Sequence, residues 1–529
     1  MANGQTGMGI FSGRSIAVVG DLSLDEQTYL YDKTCALKAA MLEGGDRSPF
    51  RIVKPDMGVY LLFLEDSTRT KESFRNAACF HDVKVNIFDA STSSFNKNES
   101  LTDTVKMLFG YSRESLFVIR SKMEGVCRWL ERAIGEYAES LGYPAPGFIN
   151  AGDGKHEHPT QEFLDEFSFL EHRDWDRSHI HIALVGDLFH GRTVHSKADG
   201  LKIFREVVVD LVAPEDIGMP EHYVQRMRDH GFMVRKFESI EEYLAQRSVA
   251  PIWYFTRLQL ERMGDAVSDK ADTLRGAVTF KKEFLNLLPE ACRFYHPLPR
   301  DRKAPTIPTF LDSLPLNGWD RQSINGYYTR IVEIGMLGGA IGADFSGRGK
   351  SPEQYSGDFV IEAETGPARE HDYKVGIKPV ENGIVIDHIS SGKDIEKIWG
   401  HIDKIRRILG LNVRSSHGVY HSNTSGHYKG IISLPDILSF DERQLKRLGA
   451  LAPGCTINMI KDKQVMRKYR MRMPPRVYNF SEISCRNENC VSHPSNMEPA
   501  SSDFIRSGDE KFVCAFCERP HSFQEIWRD

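Results

Sequence analysis

Short apolar runs, each closed by a polar turn, recur along the first part of the chain: Val59–Leu64, Val83–Phe88, Leu116–Arg120 and His181–Leu188. Runs of this length bounded by Gly, Ser and Asp read as buried strands. Between them, apolar residues fall at helical spacing, as with Leu22, Leu24, Tyr29, Leu30, Leu37 and Met41 in residues 21–42. Strands alternating with helices predict parallel, doubly wound α/β sheets whose ligands bind at the carboxyl edge. A last helical run over Ile324–Ala343 returns to the first of these domains. Beyond residue 372 the rhythm shortens to a strand at Ile384–Ile389, an amphipathic helix at Ile395–Leu409 and several short strands, the pattern of a small α+β domain. Between the two parts, residues 346–372 are rich in Gly, Ser, Glu and Pro and read as a linker.

A chain of 529 residues has room for several domains with cores of their own. Hydrophobic residues make up 40% and the net charge is -5, which gives no general nucleic-acid-binding or membrane-binding surface. Any anion site must therefore be local. The first twenty residues hold no long apolar core with a basic flank, so the expected location is the cytoplasm. Nine cysteines, five of them scattered singly, fit reduced thiols, with the other four gathered between Cys485 and Cys517.

Ser67-Thr68-Arg69-Thr70 lies where a strand passes into a helix. A helix start offers free N–H groups and the positive end of the dipole, and hydroxyls and a guanidinium at the same turn make it an anion site suited to phosphate. The plainer alternative is that Ser67 caps the helix and Arg69 is a solvated charge. Arg120 would sit at the end of its strand, on the same edge. His156-Glu157-His158 invites a metal reading, but two histidines two apart in a Gly-rich loop make a poor closed site. Gly186 and Gly191-Arg192-Thr193 approach a nucleotide-binding loop whose Lys is replaced by Arg, which argues against an ATPase. Cys485 and Cys490, with Cys514 and Cys517, form two closely spaced pairs able to close a tetrahedral four-cysteine zinc site; with no open position such a zinc is structural, one per chain. The basic run Arg467–Arg472 raises a nucleic-acid-binding ribbon as the competing idea, but few aromatics interleave.

Taken in order, Phe63–Lys71, His158-Pro159-Thr160-Gln161, Gly191-Arg192-Thr193, Thr256-Arg257-Leu258-Gln259 and His296-Pro297-Leu298-Pro299 resemble the signatures of the aspartate carbamoyltransferases, with Lys71 where that family usually has Arg. Residues from Lys374 onward resemble the zinc-containing regulatory chain of the same family, elsewhere a separate polypeptide. The resemblance implies two carbamoyltransferase-fold domains, for carbamoyl phosphate at 1–165 (with a returning helix near 323–345) and for aspartate at 166–322. A ferredoxin-like regulatory domain at 373–474 and a small β zinc domain at 475–529 follow. It implies transfer of the carbamoyl group of carbamoyl phosphate to L-aspartate, with no cofactor in the chemistry.

The same resemblance implies that Ser67, Thr68, Arg69, Thr70 and Arg120 hold the phosphate, with Ser93 and Lys97 reaching in from a neighbouring subunit. Thr70, Arg120 and His158 polarise the carbamoyl oxygen, Gln161 completes the carbamoyl pocket, and Pro297 and Leu298 offer carbonyls near the amine. Arg192, Arg257, Gln259 and Lys97 hold aspartate. Three cations suit a substrate with two carboxylates and would repel ornithine, whose side chain is itself cationic. Nucleotide effectors would meet Asp387, His388, Lys429, Thr456, Asn458 and Lys468, although Ser433 replaces an expected basic residue. A shared site requires at least a trimer, with six chains as a larger assembly. Nucleic acid and membranes are not expected partners. The alternatives left open are a different amino-acid acceptor and an inactive homologue acting as a scaffold.

Overall fold

The apolar runs of the first 351 residues form two parallel sheets. The computed structural model describes residues 9–88, 99–259, 270–352, 354–365, 377, 380–422, 426–508 and 510–528. Ser93 and Lys97 lie outside the described residues. The chain divides into two compact units, Met1–Ser351 and Pro352–Asp529.

In the first unit, β1 (Val53–Phe63), β2 (Asp82–Phe88), β3 (Ser115–Ser121) and β4 (Gly147–Asp153) make a sheet in the order β2-β1-β3-β4, every pair parallel. The second sheet has the order β7-β6-β5-β8-β9, from β5 (His179–Val185), β6 (Glu206–Val212), β7 (Met233–Phe237), β8 (Ile252–Phe255) and β9 (Arg293–Tyr295). The inner strands bury both faces, which is why β3 and β5 read as near-continuous apolar runs, whereas the edge strand β2 stays partly exposed. Helices α1 (Leu24–Glu43), α2 (Thr68–Phe80), α3 (Leu101–Phe109), α4 (Val126–Leu141) and α5 (Pro159–His172) accompany the first sheet. The second carries α6 (Arg192–His195), α7 (Lys197–Gly200), α8 (Glu221–Asp229), α9 (Ile240–Leu244) and α10 (Ala271–Val278). The returning helix α11 (Trp319–Leu337) packs on α1, α2 and α5.

Strand order locates the site. In the first sheet β1 turns one way to β2 while β3 lies on its other side, so a crevice opens beyond the carboxyl ends of β1 and β3. The register pairs Phe63 with Arg120, which sets the turn after β1 beside that guanidinium. In the second sheet the same reversal falls between β5 and β8, whose following turns carry Gly191-Arg192 and Arg257. Gly186, at the end of β5, has φ +118°, and a Cβ there would lie 2.4 Å from the Thr256 carbonyl oxygen, so only glycine lets the two strand ends approach.

Helix α2 begins at Thr68 with Ser67 as its N-cap, so Ser67–Thr70 stands at the helix start. Two expectations need adjustment. The returning helix spans 319–337 rather than 323–345, because Gly318 starts it and Gly338-Gly339 ends it. The segment read as a linker contains β10 (Val360–Ala363), whose alternating side chains let it pair antiparallel with β15 (Gln464–Met471).

In the second unit, β11 (Gly383–Gly392), α12 (Ile395–Ile408), β12 (Ser416–His421), β13 (Tyr428–Pro435), α13 (Glu442–Leu451) and β14 (Thr456–Lys461) follow the βαββαβ sequence of a ferredoxin-like domain. The six-stranded sheet runs β10-β15-β14-β11-β13-β12. Helix α12 buries Ile398, Ile402, Ile405 and Ile408, the apolar stripe visible in its sequence. A separate four-stranded sheet, β16 (Arg476–Tyr478), β17 (Asp503–Arg506), β18 (Lys511–Cys514) and β19 (Pro520–Ser522), carries the cysteines. Among the described residues no helix is long and apolar enough to cross a membrane.

Candidate active site

The two crevices face one cavity of about 540 Å³. Every candidate substrate residue among the described ones lines it: Ser67, Thr68, Arg69, Thr70, Arg120, His158, Gln161, Arg192, Arg257, Gln259, Pro297 and Leu298. Ser67 occupies the N-cap position of α2 without spending its side chain on capping, so its hydroxyl and the first N–H groups of the helix are left for a ligand. Arg69 is exposed at this helix start, whereas Thr70 is buried.

Arg120 donates from Nη1 to the Ala151 carbonyl at 3.2 Å, and Arg192 donates from Nη1 to the Gly154 carbonyl at 3.1 Å. Both guanidiniums reach Glu65 Oε2, at 3.4 Å from Arg120 Nε and 2.7 Å from Arg192 Nη2. Gly152 permits this crowding: at φ +111°, a Cβ would stand 2.9 Å from Arg192 Nε and 3.1 Å from Arg120 Nη1. Gln259 is fixed through its backbone N–H, which donates to Asp187 Oδ2 at 3.1 Å.

His158 is buried, and burial together with Arg120, Arg192 and Arg330 pushes its pKa well below the ordinary value. It is therefore a neutral imidazole. Its Nδ1 lies 3.4 Å from Thr160 Oγ1, and its buried Nε2 has no protein partner among the described residues. His296 is likewise neutral, pushed down to about 3 by burial and then by Arg300, Arg69 and Arg257, and its Nδ1 accepts the Leu298 N–H at 2.8 Å. That bond shapes the turn that aims Pro297 and Leu298 at the cavity.

Sequence reasoning assigned no role to Glu65, Gly152, Gln322 or Arg330, which line or crowd the same cavity. Glu65 borders the phosphate motif, and that proximity was its one available signal. The others come from distant segments that only the fold brings in.

In the second unit, the six candidate effector residues lie on neighbouring strands: Asp387 and His388 on β11, Lys429 on β13, Thr456 and Asn458 on β14, and Lys468 on β15. Asp387 accepts from Tyr420 Oη at 2.7 Å and from the His388 N–H at 2.7 Å. His388 Nδ1 lies 3.2 Å from Thr456 Oγ1. Ser433 is buried in mid-strand opposite Val385.

The four clustered cysteines are buried with their ligand atoms within 4.8 Å of one another. Cys485 and Cys517 sulfurs are 3.7 Å apart, as are those of Cys490 and Cys514. A tetrahedral zinc with Zn–S bonds near 2.3 Å puts its sulfurs about 3.8 Å apart, whereas a disulfide would need about 2.05 Å. The residues fit a closed structural zinc site, with His521 Nε2 placed 3.4 Å from Cys485 Sγ to donate to the thiolate.

Two doubly wound sheets sharing an arginine-lined cavity at their carboxyl edges define a carbamoyltransferase. The family description "Aspartate/ornithine carbamoyltransferase, carbamoyl-P binding domain" matches residues 14–171. "Aspartate carbamoyltransferase regulatory chain, allosteric domain" matches 375–472, and the metal binding domain of that chain matches 475–527. The chain is 56% identical to Protein PyrBI of Thermotoga maritima over 98% of this chain and 99% of that one. It is 53% identical to Protein PyrBI of Treponema denticola, covering 98% of each. A crystal structure of aspartate transcarbamoylase from Trypanosoma cruzi, in complex with N-(phosphonacetyl)-L-aspartic acid, superposes with a TM-score of 0.53 at 28% identity, over 62% of this chain and 96% of that one. The chain belongs to the aspartate carbamoyltransferase family, in the form that fuses catalytic and regulatory chains, and it is an aspartate carbamoyltransferase with a structural zinc site.

Proposed function

We propose that the cavity binds carbamoyl phosphate against the first sheet and L-aspartate against the second, and transfers the carbamoyl group with the chain's own side chains and no cofactor. The observation that carries this reading is the convergence of twelve candidate residues, from five separate sequence motifs and the end of β3, on one cavity. Ser67, Thr68, Arg69, Thr70 and Arg120 take the phosphate, joined by Ser93 and Lys97 of a neighbouring subunit. Arg192, Arg257, Gln259 and the neighbour's Lys97 take the two carboxylates of aspartate. Pro297 and Leu298 accept from the attacking amine.

The reaction needs orientation of two anions and relief of the oxyanion that develops as nitrogen attacks carbon. Thr70 and Arg120 donate to that oxygen. A neutral His158 serves the same end: with Nδ1 accepting from Thr160, its Nε2 carries the proton and donates it as a hydrogen bond. The amine adds, the C–O bond to phosphate breaks, and the departing phosphate takes the amine proton.

The division into domains follows the sheets: carbamoyl phosphate at 1–165 with α11 returning, aspartate at 166–322, the effector domain at 373–474 preceded by β10, and zinc at 475–529. Nucleotides bind along β11, β13, β14 and β15, without help from the buried Ser433. The active assembly is at least a trimer, with six chains as the larger form, and a reducing cytoplasm suits the free thiols. The test is an aspartate saturation curve at fixed carbamoyl phosphate, with and without CTP, UTP and ATP, and with ornithine as control acceptor. The reading expects turnover with aspartate alone and a curve moved by nucleotide. Turnover with ornithine would overturn the acceptor site, and an unmoved curve would reduce the C-terminal unit to an assembly module.

A further inference from the structure

Helix α5 is buried from Pro159 to Leu170, including three acids, Glu162, Asp165 and Glu166. Facing them is Lys197, with a side-chain exposure of 0%. Its Nζ donates to Glu162 Oε2 at 2.5 Å and Asp165 Oδ2 at 2.9 Å, and lies 4.3 Å from the centre of the Tyr254 ring. Burial pushes the Glu162 and Glu166 carboxyls up, Glu166 to about 7. Burial also works against the Lys197 charge, but Asp165 and Glu162 outweigh it and hold its pKa above the ordinary value. The ammonium is thus shared between the Glu162 and Asp165 carboxyls.

The other oxygen of Asp165 meets the active site. Oδ1 accepts from Gln161 Nε2 at 2.8 Å and from Gln322 Nε2 at 2.6 Å. Both amides turn their NH2 ends toward this oxygen, while the Lys197 ammonium occupies the carboxyl's other oxygen. Gln322 then has its carbonyl free for the His296 backbone N–H, which it accepts at 3.0 Å. Gln161, which lines the cavity, has its carbonyl left for substrate. Were Asp165 protonated, it could donate, and either amide could flip.

We infer that Lys197 and Asp165 are a positioning pair that holds the Gln161 carbonyl toward the substrate NH2, so that the enzyme tells a carbamoyl group from an acyl group. Neither residue touches substrate; both act through Gln161. The inference rests on Gln161 meeting the carbamoyl group, as proposed above.

Acetyl phosphate, with CH3 in place of NH2, reads this out. The quantity is kcat/KM for carbamoyl phosphate divided by that for acetyl phosphate, at fixed aspartate, measured alongside the melting temperature. Gln161→Leu, Asp165→Leu and Lys197→Met are each expected to lower this ratio about tenfold, the worth of one hydrogen bond to substrate. Lys197→Met combined with Asp165→Asn is expected to restore it, because Asn Oδ1 still accepts both amides and needs no ammonium beside it. If Lys197→Met does not fold, Asp165→Leu, which keeps Lys197 paired with Glu162, decides the matter. A folded Asp165→Leu enzyme with the parent ratio overturns the inference, as does a double variant that regains stability without the ratio. A Gln161→Leu enzyme with the parent ratio overturns instead the assignment of Gln161.

Discussion

Glu65 and Arg192 stand 127 residues apart in sequence and 2.7 Å apart in space, one on the turn after the first sheet's β1 and the other on the turn after the second sheet's β5. The same carboxylate oxygen reaches Arg120 at 3.4 Å. Glu65 thus bridges the guanidinium assigned to aspartate and the one assigned to the reacting carbonyl. Glu65→Gln keeps the shape and removes the charge that holds them. We expect kcat/KM for aspartate to fall by about ten- to a hundredfold, the scale of losing a hydrogen bond to a charged group. Initial rates with each substrate varied in turn would check this, and an unchanged aspartate KM would count against the bridge.

Arg69 opens α2 where the dipole and free N–H groups converge on the phosphate. Arg69→Ala should lower kcat by about a hundredfold or more, since the contact strengthens as charge moves onto the leaving phosphate. Near-normal turnover would remove Arg69 from the site.

If Lys97 reaches the site of a neighbouring subunit, Lys97→Ala and Arg69→Ala chains should complement each other. Mixing the two inactive proteins under dissociating conditions and reassembling them should recover a fraction of the parent activity in hybrid sites with neither defect. Absence of recovery, with mixed oligomers shown by mass spectrometry, would argue for sites built within one chain.

Removing the metal should weaken the C-terminal unit alone. Cys514→Ser, or a thiol-reactive mercurial followed by chelator, is expected to abolish the one bound zinc per chain measured by elemental analysis. The transition of the C-terminal unit should move to lower temperature, because a structural zinc site carries folding free energy. Full metal content in Cys514→Ser would place the zinc elsewhere.

The buried titrating groups of the catalytic unit predict a stability maximum near pH 6.5. His81 and His195 are held down to about 4 and His296 to about 3, chiefly by burial, from an ordinary 6.5. Below 6.5 the unfolded chain binds more protons than the folded one, so stability falls as pH drops through that window. Glu166 and Glu333 are pushed up by burial from 4.5 to about 7 and about 8. Their unfolded forms bind fewer protons between 4.5 and 8, so stability falls as pH rises through that range. The histidines outnumber the acids below 6.5 and fall silent above it. Denaturant titrations across pH 5–8 should show the maximum, and Glu333→Gln should flatten the alkaline side; a curve still rising at pH 8 would contradict these assignments.

What the sequence made legible follows from range. The strand after which Ser67–Thr70 comes, the cation at the end of β3 and the cysteine pairs are local patterns, each readable from a dozen residues. Lys197, Asp165 and Gln322 are not, because each reads as an ordinary helical polar residue until α5, α7 and α11 meet. Gly152 was equally silent, since the need for glycine there comes from two guanidiniums contributed by other segments. Strand β10 was hidden for the opposite reason: its composition is that of a tether, and its partner β15 lies about a hundred residues later.

That strand makes the tether part of the second unit, since Val360–Ala363 belongs to its sheet and the same continuous chain carries the first. Catalytic and regulatory parts are therefore made in equal number and stay in equal number, and dilution, which strips separately encoded partners from one another, leaves this stoichiometry untouched.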